Sequence, residues 1–166
     1  MQNRIIISFV IPVYNNEEYI TKAVESITLQ ELDNPNLIEV IIVDDGSTDR
    51  TPNIVDGLCQ MDTRIRCIHQ SNQWIYASMN SGIDLAQGKY VYILNSDDEL
   101  HENAVACLKE KIFQYDHPDV IWTPIIRIDC DNNRDNCVIR RASSNTLDKI
   151  KEKYCGAHYE VRALWS

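Results

Sequence analysis

The chain has 166 residues, with 16 Lys and Arg against 25 Asp and Glu, for a formal charge of −9. That length suits one domain able to bury about two-thirds of its unfolded surface without metal or disulfide staples, and the acidic balance excludes a broad basic face for gripping nucleic acid. No segment reaches the roughly 20 apolar residues of a membrane span and no signal peptide precedes the first strand, so a cytoplasmic protein with no membrane span and free thiols is expected.

Arg4 to Ile11 is an apolar run closed by Pro12 and reads as the first strand. Ile20, Ala23, Val24 and Ile27 then recur at helical spacing behind Asn15 and Asn16, the candidate caps. Ile38 to Val43 is the second strand. Thr51-Pro52 opens a helix with the stripe Ile54, Val55, Leu58 and Met61, proline being suited to a first turn. Ile65 to His69 predicts a short third strand. Ile75, Met79, Ile83 and Ala86 form the next helical stripe, with Gly88 where a left-handed cap is wanted, and Tyr90 to Leu94 is the fourth strand. A helix from Glu102 to Phe113 turns Ala104, Val105, Leu108 and Ile112 inward, and Val120 to Ile128 is extended, bent at Pro124. Asp129 to Asn136 is a loop by composition, followed by a strand at Cys137 to Arg141 and a helix carrying Leu147, Ile150 and Tyr154. Strands alternating with helices imply right-handed crossovers and a mostly parallel sheet with helices on both faces. This α/β domain is expected over 1–128, with an irregular extension at 129–166.

The six cysteines contain no CxxC pair. Cys59, Cys67 and Cys107 lie in or beside apolar periodic segments and read as small buried hydrophobes, while Cys130 and Cys137 flank a polar stretch that a disulfide could close. His69, His101, His117 and His158 are scattered without metal-ligand spacing and read as surface or cap residues.

The chemistry gathers where apolar runs end in acids: Val40 to Val43 in Asp44-Asp45-Gly46-Ser47-Thr48-Asp49, and Tyr90 to Leu94 in Asn95-Ser96-Asp97-Asp98. Ligands of open α/β sheets bind outside the carboxyl ends of the strands. Turn and cap chemistry accounts for Ser47 to Asp49. It does not account for two adjacent charges at Asp44 and Asp45, one of which would accept a hydrogen bond from a base N–H or a ribose hydroxyl. The second cluster supplies hard oxygen ligands suited to Mg²⁺ or Mn²⁺ shared with phosphates. The first turn, Pro12-Val13-Tyr14-Asn15-Asn16-Glu17, lacks the glycines of a dinucleotide fold. Tyr14 either stacks on a base, worth about 1–3 kcal/mol, or covers the helix amino terminus.

The blocks Ile11-Pro12-Val13-Tyr14-Asn15, Val43 to Asp49, Asn72-Gln73 with Ala77 and Asn80-Ser81-Gly82, and Gly88-Lys89-Tyr90 leading to Leu94 to Glu99, in that order, closely resemble glycosyltransferase family 2 over roughly residues 5 to 128. The resemblance implies a GT-A fold and an inverting transferase that takes a nucleotide sugar, usually a UDP-sugar, with Mn²⁺ or Mg²⁺. It implies that Pro12, Val13 and Tyr14 line the base pocket with Glu17 nearby, that Asp45 reads the base, and that Asp44 and Asn80 belong to the same nucleotide-sugar set. Asn95-Ser96-Asp97 would be the DxD-type motif, with Asp97 the metal ligand and Asp98 orienting sugar or ribose. The chain departs from the family at Asn95, commonly aspartate, at Trp74, usually glycine, and at Met79, usually arginine.

No general base is assigned, and Glu160 matches no catalytic block of the family. The expectation is therefore of a chain truncated on the acceptor side, completed by a carboxyl-terminal domain or a homodimer, and attached, if at all, peripherally at the inner membrane face. Its acceptor would be a glycan, a polysaccharide or a lipid-linked saccharide. The alternative is a noncatalytic module that binds a nucleotide sugar. A nucleotidyltransferase is disfavoured because the first turn has no glycine-rich, lysine-containing loop.

Overall fold

A computed structural model of the chain describes residues 5–30, 37–121, 126–130 and 137–141. The chain divides into two compact units, Met1–Ala106 and Cys107–Ser166. In the first, β1 (Ile7–Val13), β2 (Ile38–Asp44), β3 (Ile65–His69) and β4 (Tyr90–Ile93) form a parallel sheet in the order β3-β2-β1-β4. Helices α1 (Ile20–Thr28), α2 (Thr51–Met61) and α3 (Trp74–Leu85) connect them. Successive strands β1, β2 and β3 move in one direction across the sheet, and β4 returns to the far side of β1. Right-handed crossovers then put α1 and α2 on one face and α3 on the other, in keeping with the contacts of α1 with α2 and of α3 with β1 and β2. The carboxyl ends of β1 and β4 thus flank the switch point where doubly wound sheets open a crevice.

Every residue of β1 and β2 is buried, as expected of central strands covered on both faces. Two of them, Glu39 and Asp44, are acidic. Glu39 is 4% exposed, yet its carboxylate receives Ser8 Oγ, the Gln87 N–H and an Arg66 guanidinium N–H, each at 2.6 Å. Four groups from separate segments meet at the amino end of the sheet, so the buried carboxylate is satisfied by two neutral donors and a partly exposed guanidinium.

Helix α1 buries Ile20, Ala23, Val24 and Ile27, as its spacing predicts. Asn15 and Asn16 are not its caps. The cap residue is Tyr19, without a side-chain bond, and Asn15 takes a left-handed φ of 48°. Its Oδ1 instead accepts the Thr48 N–H at 2.7 Å, clipping the β1 turn to the β2 turn. In α2, Val55 and Leu58 face the core, but Met61 is exposed because the helix ends there.

Helix α3 departs most from expectation. Its buried residues are Ser78 and Gly82, whereas Ile75 and Ile83 are about half exposed. The helix lies so close to β1 that a Cβ at Gly82 would come within 2.3 Å of Val10 Cγ1. Small residues, not the apolar stripe, therefore face the sheet. Nor is Gly88 a left-handed cap: α3 ends in extended backbone at Ala86. Gly88 is a contact glycine. Its N–H donates to Ser8 Oγ at 2.8 Å, and a Cβ there would lie 2.6 Å from the Ser8 nitrogen.

Helix α4 (Ala104–Gln114) buries Ala104, Val105, Leu108 and Ile112 as read from its period. In the second unit, β5 (Ile126–Cys130) and β6 (Cys137–Arg141) pair antiparallel, with Cys130 the register partner of Cys137. Asp129 and Cys130 thus belong to a strand, not to the expected loop, while Val120 and Ile121 precede it. The predicted helix around Leu147 to Tyr154 lies outside the described residues.

Candidate donor-binding site

A cleft of about 440 Å³ opens at the carboxyl end of the parallel sheet, lined by Pro12, Val13, Tyr14, Asn16, Asp45, Ile75, Ser78, Asn95, Ser96 and Asp97. It lies wholly within the first unit, at the switch point between β1 and β4. Its volume falls within the range of roughly 300–1,000 Å³ found for small-molecule sites.

Three turns build it. The first follows β1 and carries Tyr14, half exposed, over the cleft. Behind it, the Asn16 side chain donates to Ser96 Oγ at 2.7 Å, tying the β1 turn to the β4 turn across the opening. Asn16 also holds Thr51 Oγ1 through its N–H at 2.9 Å, so one residue joins three connections.

The second turn follows β2. Adjacent strand residues point to opposite faces, and Asp44 and Asp45 do so: only Asp45 lines the cleft. Asp45 is 4% exposed, and its Oδ1 accepts the Gln73 N–H at 2.9 Å and the Gln70 side-chain amide at 2.7 Å. Burial pushes its pKa up, but the bonds from Gln73, Gln70 and Ser78 outweigh that and hold it below its ordinary value. The carboxylate is an anion held in place. Asp44 turns away. Its Oδ1 accepts the Ser47 N–H at 3.0 Å and its Oδ2 lies 2.8 Å from His69 Nδ1, so its charge is accounted for by the turn and the histidine. Between them, Gly46 has a left-handed φ of 77°, and a Cβ there would lie 2.9 Å from the Asn72 nitrogen. A side chain would strain the backbone and press on the segment that supplies Gln70 and Gln73.

The third turn follows β4. The Asp98 N–H closes it on the Asn95 carbonyl at 3.1 Å, and the Asn95 side chain donates to Asp98 Oδ2 at 2.9 Å. Asp97 is exposed on the cleft lining, with Ser96 buried beside it. Its carboxylate and the Asn95 amide oxygen are hard donors of the type Mg²⁺ and Mn²⁺ prefer, so the residues present fit such an ion.

Four residues of the expected nucleotide-sugar set do not line the cleft. Besides Asp44 they are Glu17, Asn80 and Asp98. Glu17 pairs with Arg50 at 2.9 Å, and that guanidinium holds its carboxyl below the ordinary value. Asn80 is exposed on α3, and Asp98 sits behind Asn95. Asn16, Ile75 and Ser78 line the cleft without having been expected there. Asn16 resembles a helix cap in sequence, and Ile75 falls on an apolar stripe. Ser78 and Gly82, one helical turn apart, are the signal of a close-packed small-residue face. Trp74, where the family usually has glycine, has φ 71°, the region that favours glycine.

The sequence model of glycosyl transferase family 2 matches residues 8–165. The chain is 40% identical over 117 residues to the glycosyltransferase GlyG of Streptococcus pneumoniae, covering 70% of this chain and 38% of that protein. It is 37% identical over 163 residues to the uncharacterized glycosyltransferase EpsJ of Bacillus subtilis, covering 96% of this chain and 45% of that one. Among solved structures it resembles S. aureus TarS 1–349 in complex with UDP-GlcNAc, with TM-score 0.66 and 26% identity over 78% of this chain and 36% of that one. The chain spans less than half the length of each of these proteins. With its parallel four-stranded sheet of GT-A type and its acidic strand ends, the chain belongs to glycosyl transferase family 2.

Proposed function

We propose that this chain provides the donor-binding part of an inverting, metal-dependent glycosyltransferase that takes a UDP-sugar. The observation that carries the reading is the juxtaposition of Tyr14, Asp45 and Asp97 around one cleft, each at the end of a different strand. Tyr14 offers a face for a base, a stacking contact worth about 1–3 kcal/mol. Asp45, held ionised by its neighbours, accepts the imide N–H of uracil, a proton that cytosine lacks at the same position. Asp97, with Asn95 beside it, holds Mn²⁺ or Mg²⁺. Such an ion, when bound, offsets the negative charge that develops on a departing diphosphate. The Asn16 to Ser96 bond keeps the base end and the sugar end of the cleft at a fixed separation, so the donor is bound without closing the turns at an entropic cost.

The acceptor in this reading is a growing polysaccharide or a lipid-linked saccharide. That choice is supported by the likeness to a chondroitin synthase of Escherichia coli, 40% identical over 106 residues. The test is calorimetry with UDP, GDP and CDP, with and without Mn²⁺, on the native chain and on Asp97→Ala. Metal-dependent binding of UDP, lost or made metal-independent in Asp97→Ala, is expected. Absence of metal-dependent nucleotide binding by the native chain would sink the donor-site reading. Slow hydrolysis of the bound UDP-sugar separates a transferase from a binding module.

A further inference from the structure

Away from the cleft, three side chains of different chemistry converge beside the edge strand β3. Cys67 and His69 stand two residues apart, and therefore on the same face of the strand, opposite Asp56 of α2. His69 Nε2 lies 3.2 Å from Asp56 Oδ1 and 3.9 Å from Cys67 Sγ, and Cys67 Sγ lies 3.7 Å from Asp56 Oδ1. Among the described residues this is the one group of three metal-capable side chains whose ligand atoms all lie within 4.8 Å of each other.

Those separations can be compared with a coordination sphere. With zinc bonds of about 2.3 Å to sulfur and about 2.0–2.1 Å to nitrogen or oxygen, tetrahedral angles give about 3.3 Å between nitrogen and oxygen and about 3.6 Å from sulfur to either. The three observed distances fall within about 0.3 Å of these values. A second observation bears on the histidine. Its other nitrogen, Nδ1, is 2.8 Å from Oδ2 of Asp44, which is 2% exposed. A buried carboxylate on the far nitrogen is the arrangement that fixes the ring of a metal-bound histidine and directs Nε2 at the ion.

We propose that Asp56, Cys67 and His69 form a binding site for Zn²⁺ or a similar borderline divalent ion, with Asp44 orienting the histidine. A thiolate, an imidazole and one carboxylate select this class over Mg²⁺ or Mn²⁺, which prefer all-oxygen shells. Cys67 enters as the thiolate and releases its proton to solvent. Three protein ligands leave a fourth position for water. The ion would join α2 to β3 and, through Asp44, brace the turn whose next residue, Asp45, lines the donor cleft. This site is separate from Asp97 and does not depend on the donor-site reading.

The test is titration of the reduced, metal-free chain with Co²⁺ alone, followed by absorption, because cobalt bound to a thiolate in a tetrahedral site gives a charge-transfer band and intense visible d–d bands. One equivalent should develop both. The charge-transfer band should vanish in Cys67→Ser and persist in Asp97→Ala and Cys107→Ser, and Zn²⁺ should displace the cobalt. Asp56→Asn, at an exposed position, keeps the fold and should weaken cobalt binding at least tenfold; it decides the matter if Cys67→Ser does not fold. Zn²⁺ should raise the melting temperature of the native chain and leave that of Asp56→Asn nearly unchanged. Absence of a thiolate band at one equivalent, or a band unaltered by Cys67→Ser or cobalt affinity unaltered by Asp56→Asn, overturns the proposal. His69 would then serve only as a bridge between the two carboxylates.

Discussion

Two glycines in helices of the same sheet should respond oppositely to alanine. Gly57 lies within α2 with nothing inside 4 Å of where its Cβ would be. Gly57→Ala should therefore show the plain helix-propensity gain, about 1 kcal/mol of added stability. At Gly82 the same methyl would sit 2.3 Å from Val10 Cγ1 and 3.3 Å from Val10 Cβ and Cγ2. Carbon atoms pack best at about 3.5–4.0 Å, so the helix or the valine must retreat by more than about 1 Å. Val10 is fully buried against Ile41 and Val43 and has little room to turn. Overpacking of this kind costs about 1–3 kcal/mol. Taking the upper end, about 3, and subtracting the propensity gain of about 1 leaves a net loss of about 2 kcal/mol. For a chain of this size that lowers the melting temperature by about 4–8 °C, while Gly57→Ala raises it by about 2–4 °C. Urea and thermal unfolding of both variants measure the contrast. In a Val10→Ala background the penalty at Gly82 should shrink by about 1–2 kcal/mol, the coupling expected of residues in direct contact. Equal stability of the two glycine variants, or a penalty that Val10→Ala leaves untouched, would refute the close packing of α3 on β1.

Asp45→Asn replaces a carboxylate acceptor with an amide and should weaken UDP binding about tenfold to hundredfold, the worth of a hydrogen bond to a charged group; an unchanged preference for UDP over CDP, read by calorimetry, would remove Asp45 from base recognition. The Arg64 guanidinium, 2.6 Å from Asp62, holds that carboxyl below its ordinary value of 3.8. A depressed folded pKa gives stability that is present above the unfolded value and lost as pH falls through the folded one. The stability gap between native chain and Asp62→Asn should therefore be steady near neutrality and close below about pH 4, as urea titrations at a series of pH values would show.

Much of the fold was legible because the central strands obey a simple rule. Strands β1 and β2 are buried on both faces, so their sequences are continuous apolar runs, and the acids that follow β2 and β4 mark where the sheet meets solvent. The period of α1 and α4 gave their inward residues for a similar reason: in each the buried residues form one apolar stripe. Helix α3 resisted because its contact with β1 is close enough to demand Ser78 and Gly82, and small residues carry little weight in a hydrophobic pattern.

The sequence by itself determined the parallel α/β architecture, the family and the acidic turns on which a donor could be held, since these follow from local periodicity and from ordered short motifs. Only the tertiary structure decided which way each carboxylate faces. Asp44 and Asp45 are adjacent in the chain, and the alternation of strand side chains sends one to His69 and the other to the cleft. It also brought Asp56, Cys67 and His69 together, because α2 packs on β3 and contacts across that packing have no spacing in sequence to announce them.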